Sequence, residues 1–267
     1  MNFQTDSKKW GYALSTATLL IVWQGAAWTV DDPHLLPSLV YLVKVSLPSF
    51  ALLNNPPSED LHIAVGLIAS HIVYTLARVV VGLIVGTTFG MIAGLSIHYF
   101  RGSQNVNALL LSIGRAVPLF ALIPLFLQWF GGSTVSIYVY IAFGVFVVVS
   151  TNAYHAVINI DPVHFQHARL LGANRAQIFR TVHLPATMPE MAGSLRNVAG
   201  LCWAFSLGAE YLAAGSGLGY LVYRAYEYAD MGKLMILSII YAALGLFSYL
   251  FLQPLIRNIK RWHIGHI

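Results

Sequence analysis

The chain is poor in charge and nearly free of cysteine. Only 9% of its 267 residues are charged, with ten acids in all, against the roughly 25% usual in soluble domains. A single cysteine, Cys202, excludes an internal disulfide framework. No G-x-x-x-x-G-K-[ST] run occurs, so nothing in the chain can cradle a nucleotide's phosphates in that way. The Gly215, Gly217, Gly219 run has no preceding strand and no βαβ context, which excludes a dinucleotide site and leaves a tight external turn beside a short re-entrant helix. His155, His164, His167 and His183 lie near one another in sequence, but no cysteine accompanies them and Asp161 is placed to begin a helix, so no metal site is expected. The basic residues are spread over separate segments, which excludes a nucleic-acid face despite the net charge of +5.

What fills the space left by charge is apolar. Hydrophobic residues make up 57% of the chain and the mean hydropathy is +0.68. Several runs exceed the roughly 18 to 20 apolar residues a helix needs to cross a bilayer, which predicts an all-α, polytopic membrane protein. About six spans are expected, near residues 11–30, 66–98, 107–130, 133–158, 186–211 and 231–256. The polar first residues carry no cleavable-signal pattern, so the first span is expected to remain as an anchor. Residues 31–60 hold Pro33, Pro37, Pro48, Pro56 and Pro57 and are read as an external segment with short helices. Residues 1–65 therefore form an N-terminal anchor with that segment, and residues 66–267 the main membrane domain. The second block exceeds one crossing, so its polar beginning, residues 62–78, is expected to lie along the surface. Lys8, Lys9, Arg101, Arg169, Arg175, Arg180, Arg257, Lys260 and Arg261 fall on one side of the spans, while Asp31, Asp32, Glu59, Asp60, Glu227 and Asp230 fall on the other. By the positive-inside rule both termini and the loop at residues 161–185 are cytoplasmic.

That loop, DPVHFQHARLLGANRAQIFRTVHLP, is patterned as an amphipathic helix, with Phe165, Ala168, Leu171 and Ile178 on an apolar line and Arg169, Arg175 and Arg180 off it. Such a helix suits docking of another protein at the membrane surface. In the second span Gly82, Gly86, Gly90 and Gly94 recur every four residues and form one stripe against which a neighbouring helix can pack closely. Polar residues in spans are costly and mark candidate sites, here Arg115, Asn152, His155, Arg196 and Glu210. Arg115 can anchor at the inner interface, and Glu210 can pair with an external arginine such as Arg224. Pro118 and Pro124 free backbone carbonyls where a helix lines a cavity. Trp129, Phe130, Tyr138 and Tyr140 sit where an interfacial aromatic belt is expected.

From about residue 72 to 262 the chain resembles the permease subunits of ATP-binding-cassette (ABC) importers, in the nitrate, sulfonate and taurine branch. That family's loop reads E-A-A, three residues, G, nine residues, I-x-L-P. Here Gln166-His167-Ala168-Arg169-Leu170-Leu171-Gly172 and Val182-His183-Leu184-Pro185 occupy it, keeping one alanine, the glycine and Leu-Pro but replacing the acid by Gln166. The stretch from Gly114 through Pro118, with Ile123-Pro124, resembles the family's R-P-I-P and L-P pair. Ala209-Glu210 followed by Ser216-Gly217-Leu218-Gly219-Tyr220 resembles its A-E and S-G-L-G-Y ending.

The resemblance implies a type I ABC importer permease fold in the bacterial inner membrane, working as a homodimer with cytoplasmic ABC ATPase subunits and an extracytoplasmic binding protein. It implies that Gln166, His167, Ala168, Arg169, Gly172, Ala173, Leu184 and Pro185 form the coupling helix region that contacts the ATPase. Arg115, Pro118, Asn152 and Glu210 are the candidates along the translocation pathway. No cofactor is expected on this chain; ATP and Mg belong to the ATPase. The implied cargo is a small anion such as nitrate, a sulfonate, taurine or bicarbonate, with a small heterocycle such as a pyrimidine precursor as the alternative. An ion-coupled secondary transporter would need buried carboxylates and two related halves, whereas Glu210 is the single candidate acid and no internal repeat is evident. A membrane enzyme would need facing acids, histidines or a nucleophile, and these are scattered.

Overall fold

The structure is a computed structural model that describes residues 3–54, 56–99, 113–114 and 116–264. The described residues are helical with no strand. They divide into two compact units, Met1–His71 with Leu221–Ile240, and Ile72–Tyr220 with Tyr241–Ile267.

The first unit contains α1 (Phe3–Val30), which ends where Asp31 takes a positive φ of 50°. The proline-rich segment then folds back on α1. The Trp23 indole N–H donates to the Pro37 carbonyl at 3.1 Å, and the Gln24 side-chain oxygen accepts from the Leu39 N–H at 3.0 Å. Short helical turns follow, capped by Ser38 and broken by Pro48, and they bury Phe50 and Ala51 completely. Lys233 pairs with Asp230 at 3.0 Å and lies 5.8 Å from the Phe50 ring centre.

The second unit holds the packed core. Helix α2 (Leu61–Tyr99) is one unbroken 39-residue helix, about 58 Å at 1.5 Å per residue. The expected separate surface segment over residues 62–78 is thus absent, because nothing in that stretch breaks a helix. Helix α3 (Ile123–Phe130) is short and is entered through a 3-10 turn after the extended Pro118. The expected continuous third span over 107–130 is interrupted there: proline disfavours helical backbone at the residue before it and supplies no donor. Gly131, at φ 74°, ends α3, and α4 (Thr134–Ile158) follows.

Helix α4 packs most extensively on α7 (Leu184–Ala213), where Phe205 lies edge-on to Tyr140 and against Gly144. On its other side α4 meets the glycine stripe of α2. A Cβ built on Gly86 would lie 2.5 Å from the Ala142 carbonyl oxygen and 2.6 Å from the Val145 Cβ; one on Gly90 would lie 2.8 Å from the Val149 Cβ. Gly82 meets Ile141 and Gly94 meets the Ser150 carbonyl in the same way. Between helices in lipid, close backbone approach of this kind replaces the hydrophobic effect as the source of association. Tyr140 belongs to this core, 1% exposed and edge-on to Phe126 and Phe205, and not to an interfacial belt.

Helices α8 (Leu218–Glu227) and α9 (Met231–Ile264) complete the chain. Among the described residues, Leu61–Ser96, Thr134–Ile158 and Met231–Pro254 are each long and apolar enough to cross a membrane, and Arg175–Ala213 with Leu218–Glu227 qualify as a pair. Leu14–Val30 and Leu119–Phe130 are shorter apolar helices at the places of the first and third spans.

Candidate functional site

The loop at residues 161–185 folds as two helical pieces, and not as one amphipathic helix. Helix α5 (Pro162–Leu170) starts where the Asp161 carboxylate accepts from the Val163 N–H at 2.9 Å and Pro162 occupies the first turn. It stops at Gly172, whose φ is 80°. The Gly172 N–H donates to the Arg169 carbonyl at 2.9 Å and the Ala173 N–H to the Ala168 carbonyl at 3.0 Å, the bond pair of a Schellman helix end. Helix α6 (Arg175–Ile178) begins with a capping box, in which the Asn174 side chain accepts from the Gln177 N–H at 2.9 Å and the Gln177 side chain accepts from the Asn174 N–H at 2.8 Å.

A π-helical turn, Phe179–His183, joins α6 to α7, so that Arg175–Ala213 is one helical rod. The widened turn accommodates Pro185, which lacks a donor and whose ring would collide with the Thr181 carbonyl in a regular helix. The His183 ring stacks on Phe165 with centres 4.4 Å apart, which ties α5 to the rod.

Of the residues the sequence singles out in this loop, Gln166, His167, Arg169, Gly172 and Pro185 are exposed, while Ala168, Ala173 and Leu184 are half-buried. Ile178 is buried. Leu171, expected on the apolar inner line, is instead 87% exposed, and Leu170 beside it is 84% exposed. Helix α5 ends at Leu170 and the left-handed Gly172 follows within two residues, so both leucines sit at the exposed end of the helix.

Arg115 lies outside the described residues. Pro118 is exposed, and beside it a cavity of about 220 Å³ is lined by Gly114, Leu119, Val147, Val148, Thr151 and Asn152. The Asn152 amide donates to the Ser194 hydroxyl of α7. Arg196 stacks over the Tyr249 ring, 4.7 Å from its centre, and donates to the Tyr249 hydroxyl at 3.2 Å.

Glu210 is fully buried and its partner is Arg78, at 2.8 Å, not Arg224, which stacks over Tyr228. One carboxylate oxygen accepts from Arg78 and from the Ser206 hydroxyl at 3.3 Å; the other accepts from the Thr75 hydroxyl at 2.8 Å and the Gly219 N–H at 2.9 Å. Arg78 also donates to the Ser216 carbonyl at 2.7 Å and the Ser216 hydroxyl at 2.8 Å, and Thr75 accepts from the Leu218 N–H at 2.8 Å. Arg78 falls in the stretch that sequence alone places along the surface; a charge inside an unbroken apolar run is the signal that marks it.

Residues 86–261 match the family described as the binding-protein-dependent transport system inner membrane component. The chain belongs to that family. This permease is 27% identical to the taurine transport system permease protein TauC of Escherichia coli (strain K12) over 264 residues, covering 96% of this chain and 94% of TauC. It is 28% identical to the putative aliphatic sulfonates transport permease protein SsuC of Bacillus subtilis (strain 168) over 197 residues, covering 74% and 71% of the two chains. Its fold is that of the MetNI methionine ABC transporter in an inward-facing conformation, with a TM-score of 0.65 at 18% identity over 73% of this chain and 97% of that one. A bacterial alginate ABC transporter in complex with an alginate-pentasaccharide-bound periplasmic protein matches with a TM-score of 0.63 at 16% identity, covering 97% and 98%. The permease is therefore an inner-membrane subunit of an ABC importer, a transport protein with the all-α type I fold.

Proposed function

We propose that two copies of this permease form the pathway of an importer for small sulfonates such as taurine, with a cytoplasmic ABC ATPase docked on residues 161–185 and both termini on the same cytoplasmic side. The observation that carries the docking is the pair Leu170 and Leu171, 84% and 87% exposed at the tip of a loop that is otherwise stacked onto the α7 rod. Two large apolar side chains that the chain itself leaves uncovered are the anchor a partner's groove would take. Gln166, His167, Arg169 and Gly172 are exposed beside them in sequence, the Ala168 carbonyl and Ala173 N–H close the turn that carries them, and Leu184 and Pro185 begin the helix that follows. With Gln166 in place of an acid, this contact relies on shape and apolar burial more than on a carboxylate. ATP and Mg are bound by the ATPase, and the periplasmic binding protein delivers the cargo. Similarity to TauC along nearly the whole chain favours a sulfonate. The second reading, a pyrimidine precursor, rests on 23% identity over 244 residues to the formylaminopyrimidine transport permease protein ThiX of Halalkalibacterium halodurans.

The test is purification of the tagged permease from its native membrane in mild detergent, with mass spectrometry of the complex and uptake of labelled taurine in the presence of its binding protein. Two permease copies with two ATPase subunits are expected, and Leu170→Asp with Leu171→Asp should remove the ATPase while leaving the permease inserted. A complex unaffected by both substitutions would overturn the docking site, and uptake of formylaminopyrimidine without taurine would transfer the cargo to the second reading.

A further inference from the structure

The Arg78 and Glu210 side chains are 2% and 0% exposed, and a buried pair of this kind gains little stability over apolar residues of the same size. Folding alone therefore does not account for it; the best-attested use of such pairs is to fix one arrangement among several. Here the arrangement is that of the turn after α7. Gly217 sits at φ 103°, and a Cβ on it would overlap the Glu210 carboxylate and come within 2.6 Å of the Arg78 Nη1, so the turn is wrapped directly on the pair. Arg78 grips the turn at Ser216, Glu210 grips it at the Gly219 N–H, and Thr75 grips it at the Leu218 N–H.

The other end of the same rod carries the 161–185 loop. From Arg175 to Glu210 the backbone is helical throughout, a reach of about 52 Å at 1.5 Å per residue. The loop is fastened to the rod by the His183–Phe165 stack, and although the rod carries a π-helical turn at Phe179–His183 and Pro189 inside α7, its backbone stays helical from the loop to Glu210. We infer that Arg78 and Glu210 are positioning residues for transport: they couple residues 214–219 to the far end of the rod, so that ATPase movement at the loop and events at that turn are felt by each other. This rests on the importer reading above. Coupling between two sites requires a physical element that both bias, and the latched rod is such an element.

The test uses the assembled transporter in proteoliposomes, with ATPase subunits and binding protein, and reads basal ATP hydrolysis, its stimulation by liganded binding protein, and uptake. Arg78→Met combined with Glu210→Gln removes both charges while leaving an acceptor for Gly219 and Thr75. This double variant should assemble, and its stimulation, taken relative to its own basal hydrolysis, should fall about tenfold or more. Arg78→Lys keeps the charge but cannot fork between Glu210 and Ser216, and should assemble with a smaller loss. Stimulation and uptake equal to wild type in either assembled variant would overturn the inference. Failure of both to assemble would also overturn it, since the pair would then serve folding only. A wild-type permease that carries no ATPase would instead overturn the importer reading itself.

Discussion

Gly172 supplies a backbone conformation, and not room. Its φ is 80°, and a Cβ built on it would meet nothing within 4 Å. A left-handed backbone costs an ordinary L-residue about 1–2 kcal/mol, with asparagine tolerated best after glycine. The expected order of transport activity is therefore Gly172, then Gly172→Asn, then Gly172→Ala, with Gly172→Val lowest because its branched Cβ fits that region worst. Uptake at matched permease levels checks the order. Uptake by the Ala and Val variants equal to that of the Gly172 permease would show that the Schellman turn is dispensable. Gly193, which also meets nothing within 4 Å but lies inside α7 without a positive φ, is the control, and Gly193→Ala should leave uptake unchanged.

The contact between α2 and α4 depends on the absence of side chains at four positions one turn apart. At Gly86 a methyl group would sit 2.5 Å from a backbone oxygen and 2.6 Å from the Val145 Cβ, so the helices must separate. Overpacking of this kind costs about 1–3 kcal/mol. Gly66, in the same helix, has nothing within 4 Å, and alanine there gains up to about 1 kcal/mol of helix propensity. Gly86→Ala should lower the thermal unfolding midpoint in detergent and Gly66→Ala should hold or raise it; the same shift from both would remove the stripe's claim to a packing role. The stripe is readable from sequence because a four-residue period is local. So are the motif residues of the 161–185 loop and the apolar blocks. Three features were not readable for a physical reason each. The partner of Glu210 lies 132 residues away, and pairing over that distance leaves no local pattern. The exposure of Leu171 follows from the place where α5 stops, one residue before the apolar line resumes. Tyr140 has the composition of an interfacial residue and becomes core only because Phe126 and Phe205 close over it.

At the scale of the whole molecule the remaining question is where the energy for transport enters. An ion gradient needs a carboxylate that can exchange a proton or sodium ion within the spans. Among the described residues Glu210 is the carboxylate buried in the core, and it is neutralised by Arg78 and accepts from Ser206, Thr75 and the Gly219 backbone. Removing it would leave Arg78 buried without a counter-charge, at a cost of about 3–5 kcal/mol, and its four hydrogen bonds commit it to holding the turn after α7. Glu190, in the first turns of α7, is exposed, with its carboxylate 3.5 Å from the Asn159 amide. The source proposed above is a partner's ATP hydrolysis transmitted through the 161–185 loop. In vesicles loaded with ATP, uptake should therefore persist when ionophores collapse the proton and sodium gradients, and should stop when ATP is removed with the gradients intact. Uptake that follows the gradient and ignores ATP would overturn the importer reading, and the rod would then have no ATPase movement to transmit.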